Sequence, residues 1–121
     1  MIIWSGCLEN ELADYATEIS EPTYSLDILP TLSNLFGSEY DSRMLVGRDV
    51  FSNAEALVIW PDYSWKTAYT TYQSGSGIAT ATTDIPVTEE YVDRIRTTVQ
   101  NKFNLSQITL DHDYWQHVFG N

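Results

Sequence analysis

The densest set of groups able to do chemistry lies near the end of the chain: Asp111, His112, Asp113 and His117, which include both histidines of the sequence. Carboxylates and imidazoles at close spacing are the ligands of a divalent metal. The spacing works against that reading. Neighbouring residues on a helix or strand point in different directions, and only Asp113 and His117, at i and i+4, would share a helical face. The competing reading is an aspartate cap at Asp111 or Asp113, followed by an aromatic anchor, "DYW", that tucks the terminus onto the core. Acidic residues before a helix are ordinarily caps, so no metal ligand is expected here.

Cys7, the single cysteine, follows Gly6 at the end of an apolar run, a place where a nucleophile can sit. A lone cysteine is more often a small core residue, and that is the expectation. One thiol also excludes an intrachain disulfide and a thiolate-cluster zinc site. Serines and threonines are plentiful, yet there is no G-x-S-x-G elbow, no histidine placed as a base and no glycine-rich phosphate loop. Asp27 reads as a ligand or a helix cap, and the early Pro30 favours the cap. Trp60, Trp65, Tyr69 and Tyr72 could form a sugar-binding platform on a sheet, although aromatics on an amphipathic sheet more often pack as core or edge. "NLS" at Asn104 fits the glycosylation pattern, which has weight only in a secreted eukaryotic protein.

The elements that must position these residues follow from punctuation and period. "IIW" at 2–4 reads as a buried strand, and the polar, acidic stretch after it as a loop with a short strand around 17–19. "SLDILPTLSNLFG" reads as a helix from about Asp27 to Phe36. Its cap is Asp27 or Ser25, because proline is tolerated only in a first turn, and Leu29 before the proline is pushed away from the helical region. Leu32, Leu35 and Phe36 form its apolar side, and Gly37 ends it in the left-handed conformation. From Ala56 the pattern is strands: 56–60, a turn at "PDYS", 65–73, a hairpin at "SGSG", and 78–83. A long helix follows, capped by Thr88, with Glu89 and Glu90 in its first turn and Lys102 near its end. Tyr91, Val92, Ile95, Val99 and Phe103 form the apolar stripe, and Glu90 and Arg94 form an i,i+4 pair. The final "ITLDHDYWQHVFG" is expected to pass from a short strand or extended stretch into a helical turn.

Composition bounds the rest. The 121 residues suffice for one domain, and 43% hydrophobic with 13% aromatic content marks a folded chain rather than an acidic tail. Six basic residues, Arg43, Arg48, Lys66, Arg94, Arg96 and Lys102, stand against 17 acidic ones, for a net charge of −11. Such a surface repels phosphate backbones and anionic lipid heads, so neither nucleic acid nor a membrane surface is an expected partner. No apolar run approaches the roughly 20 residues of a membrane span. A strand beginning at residue 2 suggests a piece of something longer, because termini are usually polar and frayed.

The order of the pieces resembles the carboxyl-terminal portion of the sulfatase family, within the alkaline phosphatase-like superfamily. These pieces are "MIIWSG", "YSLDILPTLSNLFG", "MLVGRDVFS", "ALVIWPDYSWKTAYTTYQSG" and "NKFNLSQITLDHDYW". The nearest branch is the lipoteichoic acid synthase-like phosphoglycerol transferases. There, "DILPTLSNLFG" is similar to a D-I-x-P-T-L-x-N-L-x-G helix and "GRDVFS" to a G-x-D-L-x-S turn. The resemblance spans nearly the whole chain. Helix and turn together are its specific part.

The resemblance implies the end of an α/β fold, which by itself would be a small α+β unit with a three- to four-stranded antiparallel sheet covered by a long helix. It further implies one domain over 1–121, with 1–55 ending the main fold and 56–121 forming the meander and terminal helices. Enzymes of the family use a threonine, or a modified cysteine or serine, beside a divalent metal. Those residues lie in motifs upstream of the one "MIIWSG" matches, so the resemblance assigns no catalytic, cofactor-binding or metal residue to this chain. Asp111-His112 imitates an upstream Asp-His pair at the wrong end of the order, and Cys7 lacks a C-x-P-x-R context. The expectation is an inactive fragment of a metal-dependent phosphoglycerol or phosphoethanolamine transferase or sulfatase. Its partner would be the rest of the catalytic domain, at the extracellular face of a bacterial membrane, with self-association possible through exposed strand edges. The alternative is a free-standing acidic α+β module that binds a glycan or a protein.

Overall fold

The computed structural model describes residues 2, 18–38 and 41–120, apart from the side chains of Arg43, Trp115, Val118 and Phe119. The "IIW" strand and Cys7 lie outside the described residues, Ile2 excepted. Glu18 and Ile19 belong to no strand, which removes the described part of the short one expected at 17–19.

The chain is a small α+β unit built on a four-stranded antiparallel meander. The strands are β1 (Val58–Ile59), β2 (Trp65–Lys66), β3 (Thr70–Gln73) and β4 (Ile78–Ala81), paired in sequence order. The "PDYS" turn joins β1 to β2, with Trp60 N donating to Ser64 O at 2.9 Å. Tyr63 takes φ 65° there, a costly conformation for a bulky residue, while its ring packs on Phe103 at 4.3 Å between centroids. The "SGSG" turn joins β3 to β4, and Gly77 supplies its positive φ of 68°.

One expectation fails here. Residues 65–73 are two strands rather than one: Trp65 pairs with Tyr72 and Lys66 with Thr71 across a tight turn. The turn is made by Thr67, whose hydroxyl accepts from Tyr69 N at 3.2 Å and Thr70 N at 3.1 Å, while Thr67 N donates to Thr70 O at 2.8 Å. A threonine hydroxyl thereby does locally what a turn glycine does elsewhere, and the alternating "TAYTTY" composition hides it.

Helix α2 (Glu89–Asp111) covers one face of the sheet. Thr88 caps it by accepting from Tyr91 N at 3.2 Å. Ile95 and Val99 are buried against Trp65 and Tyr72, with Tyr91, Val92 and Phe103 packed around them, so the stripe read from the sequence is the one that packs. Burial of Ile95 and Val99 stabilises the unit by about 1.5–3 kcal/mol each. The helix runs nine residues past Lys102, because "ITL" continues it. Thr109 offsets its β-branch by donating to Leu105 O at 2.8 Å. Arg94 does not pair with Glu90; it bridges to Glu55 at 3.1 Å. A short α3 (Tyr114–Phe119) follows a left-handed Asp113, φ 45°.

Helix α1 (Ile28–Leu35) is entered through a 3-10 turn, Ser25–Asp27, which keeps Pro30 within the first helical turn; Leu29 is helical in spite of the proline after it. Gly37, φ 63°, closes the other end: Gly37 N donates to Asn34 O and Ser38 N to Ser33 O, the paired bonds of a Schellman motif. The face it buries is not the expected one. Asp27, Pro30 and Thr31 are buried, whereas of the expected apolar side Leu32 and Leu35 are only half-buried and Phe36 is 74% exposed. The reason is the loop at 47–52, which takes its hydrogen bonds from the polar face.

Candidate functional site

Helix α1 and the loop 47–52 interlock through three side chains at i, i+4 and i+7. Asp27 Oδ1 accepts from Arg48 N at 2.9 Å, and Thr31 Oγ1 accepts from Val50 N at 3.1 Å. Asn34 Nδ2 donates to Asp49 Oδ2 at 2.7 Å. Thr31 also donates to Asp27 O at 2.6 Å, and the second carboxylate oxygen of Asp27 accepts from Tyr24 N at 3.1 Å. Gly47 makes the approach possible, since a Cβ there would lie 2.0 Å from Leu26 O. Asp27 occupies the cap position of α1, but its carboxylate reaches away from that helix and makes no cap bond to it. It is 1% exposed, and its two carboxylate oxygens each accept from a backbone N–H donor.

This latch forms one wall of a groove of about 560 Å³ whose opposite wall is α2. Three of the six basic residues line it: Arg48, Arg94 and Lys102. Each is engaged. Arg48 bridges to Glu21 at 2.8 Å, and Arg94 to Glu55. Lys102 Nζ donates to Val46 O at 2.6 Å; burial holds its pKa below the usual lysine value, and the nearby charge of Asp27 works in the opposite direction. At the groove's edge Tyr91 donates its one proton to Glu55, and its oxygen lies 2.8 Å from Thr67 Oγ1 and accepts from that hydroxyl. Burial, then the hydrogen bond to Glu55, push its phenol up to about 12. The groove therefore holds prepaired charges suited to positioning. Ser42 and Ser52 line it, and neither histidine does.

The residues singled out in the sequence do not converge on that groove. Asp111 is bonded by Gln107 Nε2 at 2.8 Å at the end of α2, Asp113 sits in the turn before α3, and His117 N donates to Asp113 O. Among the described residues no three His, Cys, Asp or Glu side chains are grouped to hold a metal ion. The aromatic platform divides. Trp65 and Tyr72 stack in the core at 5.3 Å, while Trp60 and Tyr69 are 43% and 40% exposed. Asn104 lies mid-helix, accepting from Gln100 Nε2 at 3.1 Å. Sequence reasoning missed Arg48, Glu55, Thr67 and Lys102, whose partners lie up to 56 residues away. Only Gly47-Arg48-Asp49, as a motif, signalled that something happens there.

No family model matches the chain, and comparisons with curated proteins and with solved structures found no match. Among the described residues no helix is long and apolar enough to cross a membrane.

Proposed function

We propose that this chain is the carboxyl-terminal subdomain of a sulfatase-like enzyme, nearest the lipoteichoic acid synthase-like phosphoglycerol transferases. In that role it closes an alkaline phosphatase-like fold and supplies one wall of its substrate groove. The observation that carries this reading is the latch: the two stretches most specific to the resemblance, "DILPTLSN" and "GRDV", bond directly to each other through Asp27, Thr31 and Asn34. Residues that pack as a unit are the ones a shared fold would need together. The nucleophile and a divalent cation would belong to the upstream portion, where the cation would stabilise charge on the transferred phosphoryl or sulfuryl group. That enzyme would work outside a bacterial membrane.

Sequencing the gene upstream of Met1 tests the proposal. Several hundred further codons in frame, carrying membrane helices and an Asp-His metal motif, are expected; a start at Met1 would overturn it. A second assay concerns the chain alone, which should not turn over aryl sulfates or phosphodiesters with Mn²⁺ or Mg²⁺ present. Turnover would contradict the assignment of the chemistry to the upstream portion.

One observation favours the alternative of a glycan-binding module. Trp60 rims an open cleft of about 630 Å³ together with Asp62, Gln73 and Ser76, an indole beside polar groups as sugars require. Saturable oligosaccharide binding lost in Trp60→Ala would establish it.

A further inference from the structure

We infer that two copies of this chain associate edge to edge through β4, antiparallel, with Thr80 of each copy on the two-fold axis. The inference does not depend on the proposed enzyme.

Among the described residues β4 is the open edge of the meander, and all four of its residues are exposed. Thr82 N donates to Tyr69 O at 2.7 Å, so the backbone of Thr82, and by alternation that of Thr80 and Ile78, turns inward to β3. Ala79 and Ala81 consequently turn their N–H and C=O groups outward. Among the described residues none of the usual edge defences is present. "IATA" contains no charge, no proline and no glycine, and Ile78 adds an apolar side chain that is 59% exposed. The opposite edge is different: β1 has only two residues and ends at Trp60-Pro61.

Charge decides the occupant. Two bodies of net charge −11 repel, and can meet stably only where neither presents that charge. From Thr67 to Thr83 the sequence has no Asp, Glu, Lys, Arg or His, and this stretch is the β3–β4 hairpin with its flanking turns. A neutral edge is self-complementary under a two-fold axis, as an isologous contact requires. With Thr80 facing Thr80 of the second copy, Ala79 of each pairs with Ala81 of the other, and all four outward backbone groups on each side are satisfied. Thr80 then forms a non-hydrogen-bonded pair with Cα atoms about 4.5 Å apart, within disulfide range.

The test uses the full 121-residue chain with Cys7→Ser, so that an introduced thiol is the only one. Thr80→Cys should form a disulfide-linked dimer under mild oxidation, much faster than Thr71→Cys, which lies on the neighbouring inner strand. Sedimentation should show a monomer–dimer equilibrium that tightens as ionic strength rises from about 0.01 to about 0.15 M, because screening relieves repulsion. Ala81→Pro removes an outward N–H without touching the ladder to β3, and should weaken dimerisation roughly tenfold or more with the circular dichroism spectrum unchanged. A monomer at every concentration and salt, equal cross-linking at positions 71 and 80, or an undiminished Ala81→Pro dimer would each overturn the inference.

Discussion

Around Trp65 the chain is held by apolar area, and around Asp27 by directed bonds. In the first region, two aromatic rings from the sheet and two aliphatic side chains from α2 meet, with the Arg96 guanidinium resting over the Tyr72 ring at 5.2 Å from its centroid. In the second, the fully buried side chains are an aspartate, a threonine and a proline, and the aspartate and the threonine each accept from a backbone N–H of the loop. The difference teaches how each half should fail. Apolar area is non-directional and tolerates repacking, whereas a buried acceptor that disappears leaves its donors without water or partner.

The largest effect should come from Trp65→Ala, which opens a cavity in the sheet–helix core and costs about 3–5 kcal/mol. Chemical denaturation would read it as loss of the whole unit. Asp27→Ala orphans two backbone donors at once and should cost about 2–3 kcal/mol. Its signature is local: amide exchange accelerates at Arg48 and Val50 while the amides of Tyr72 and Thr80 stay protected. If the sheet amides accelerated equally, the two regions would be one cooperative body and the comparison would break. Thr31→Val keeps the shape and removes the acceptor for Val50 N, for a loss of about 1–2 kcal/mol that hydrogen exchange should again confine to the latch.

Alkaline pH should weaken both halves. Tyr24 beside the latch, through burial and then the charge of Asp27, has its phenol pushed up to about 12, as does Tyr91 beside the core. The folded chain thus holds these protons where the unfolded chain, at an ordinary pKa of 10.0, has lost them. Stability is complete below pH 10 and falls as pH rises toward about 12, and thermal melts of Tyr91→Phe should show a shallower fall. The smallest effect is Tyr24→Phe at neutral pH. Among the described residues the buried Tyr24 hydroxyl has no hydrogen-bond partner, so its removal should shift stability by less than about 0.5 kcal/mol in either direction.

The legible parts of the fold were those whose signals are local. The α2 stripe from Tyr91 to Phe103 repeats over several turns behind an ordinary threonine cap, and Gly37 and Gly77 mark their turns by type. Thr67 was illegible because a hydroxyl can replace a glycine in a turn while leaving the strand-like alternation intact. The end of α2 was misplaced since "ITL" favours strands and a lysine resembles a last-turn residue. The buried side of α1 differs from the expected one because hydrophobicity ranks Leu32, Leu35 and Phe36 above Asp27 and Thr31. The partners that reverse the ranking lie 19 and 21 residues further along. As for the candidate site, Asp111, His112, Asp113 and His117 were conspicuous by type, yet among the described residues no three such side chains are grouped to hold a metal ion. Arg48 and Lys102 were unremarkable by type and share a groove.

Gly47 has a consequence for inheritance. With the Leu26 carbonyl 2.0 Å from where a Cβ would stand, no other amino acid can occupy that place while the latch stays closed. The latch can therefore be written as a spelling rule: an aspartate, then a threonine four positions on and an asparagine three beyond that, and later a glycine followed at once by the residue whose N–H the aspartate receives. A chain of unrelated composition that obeys the rule would be worth comparing with this one. A descendant that kept the helix and lost the glycine would have had to give up the closed loop.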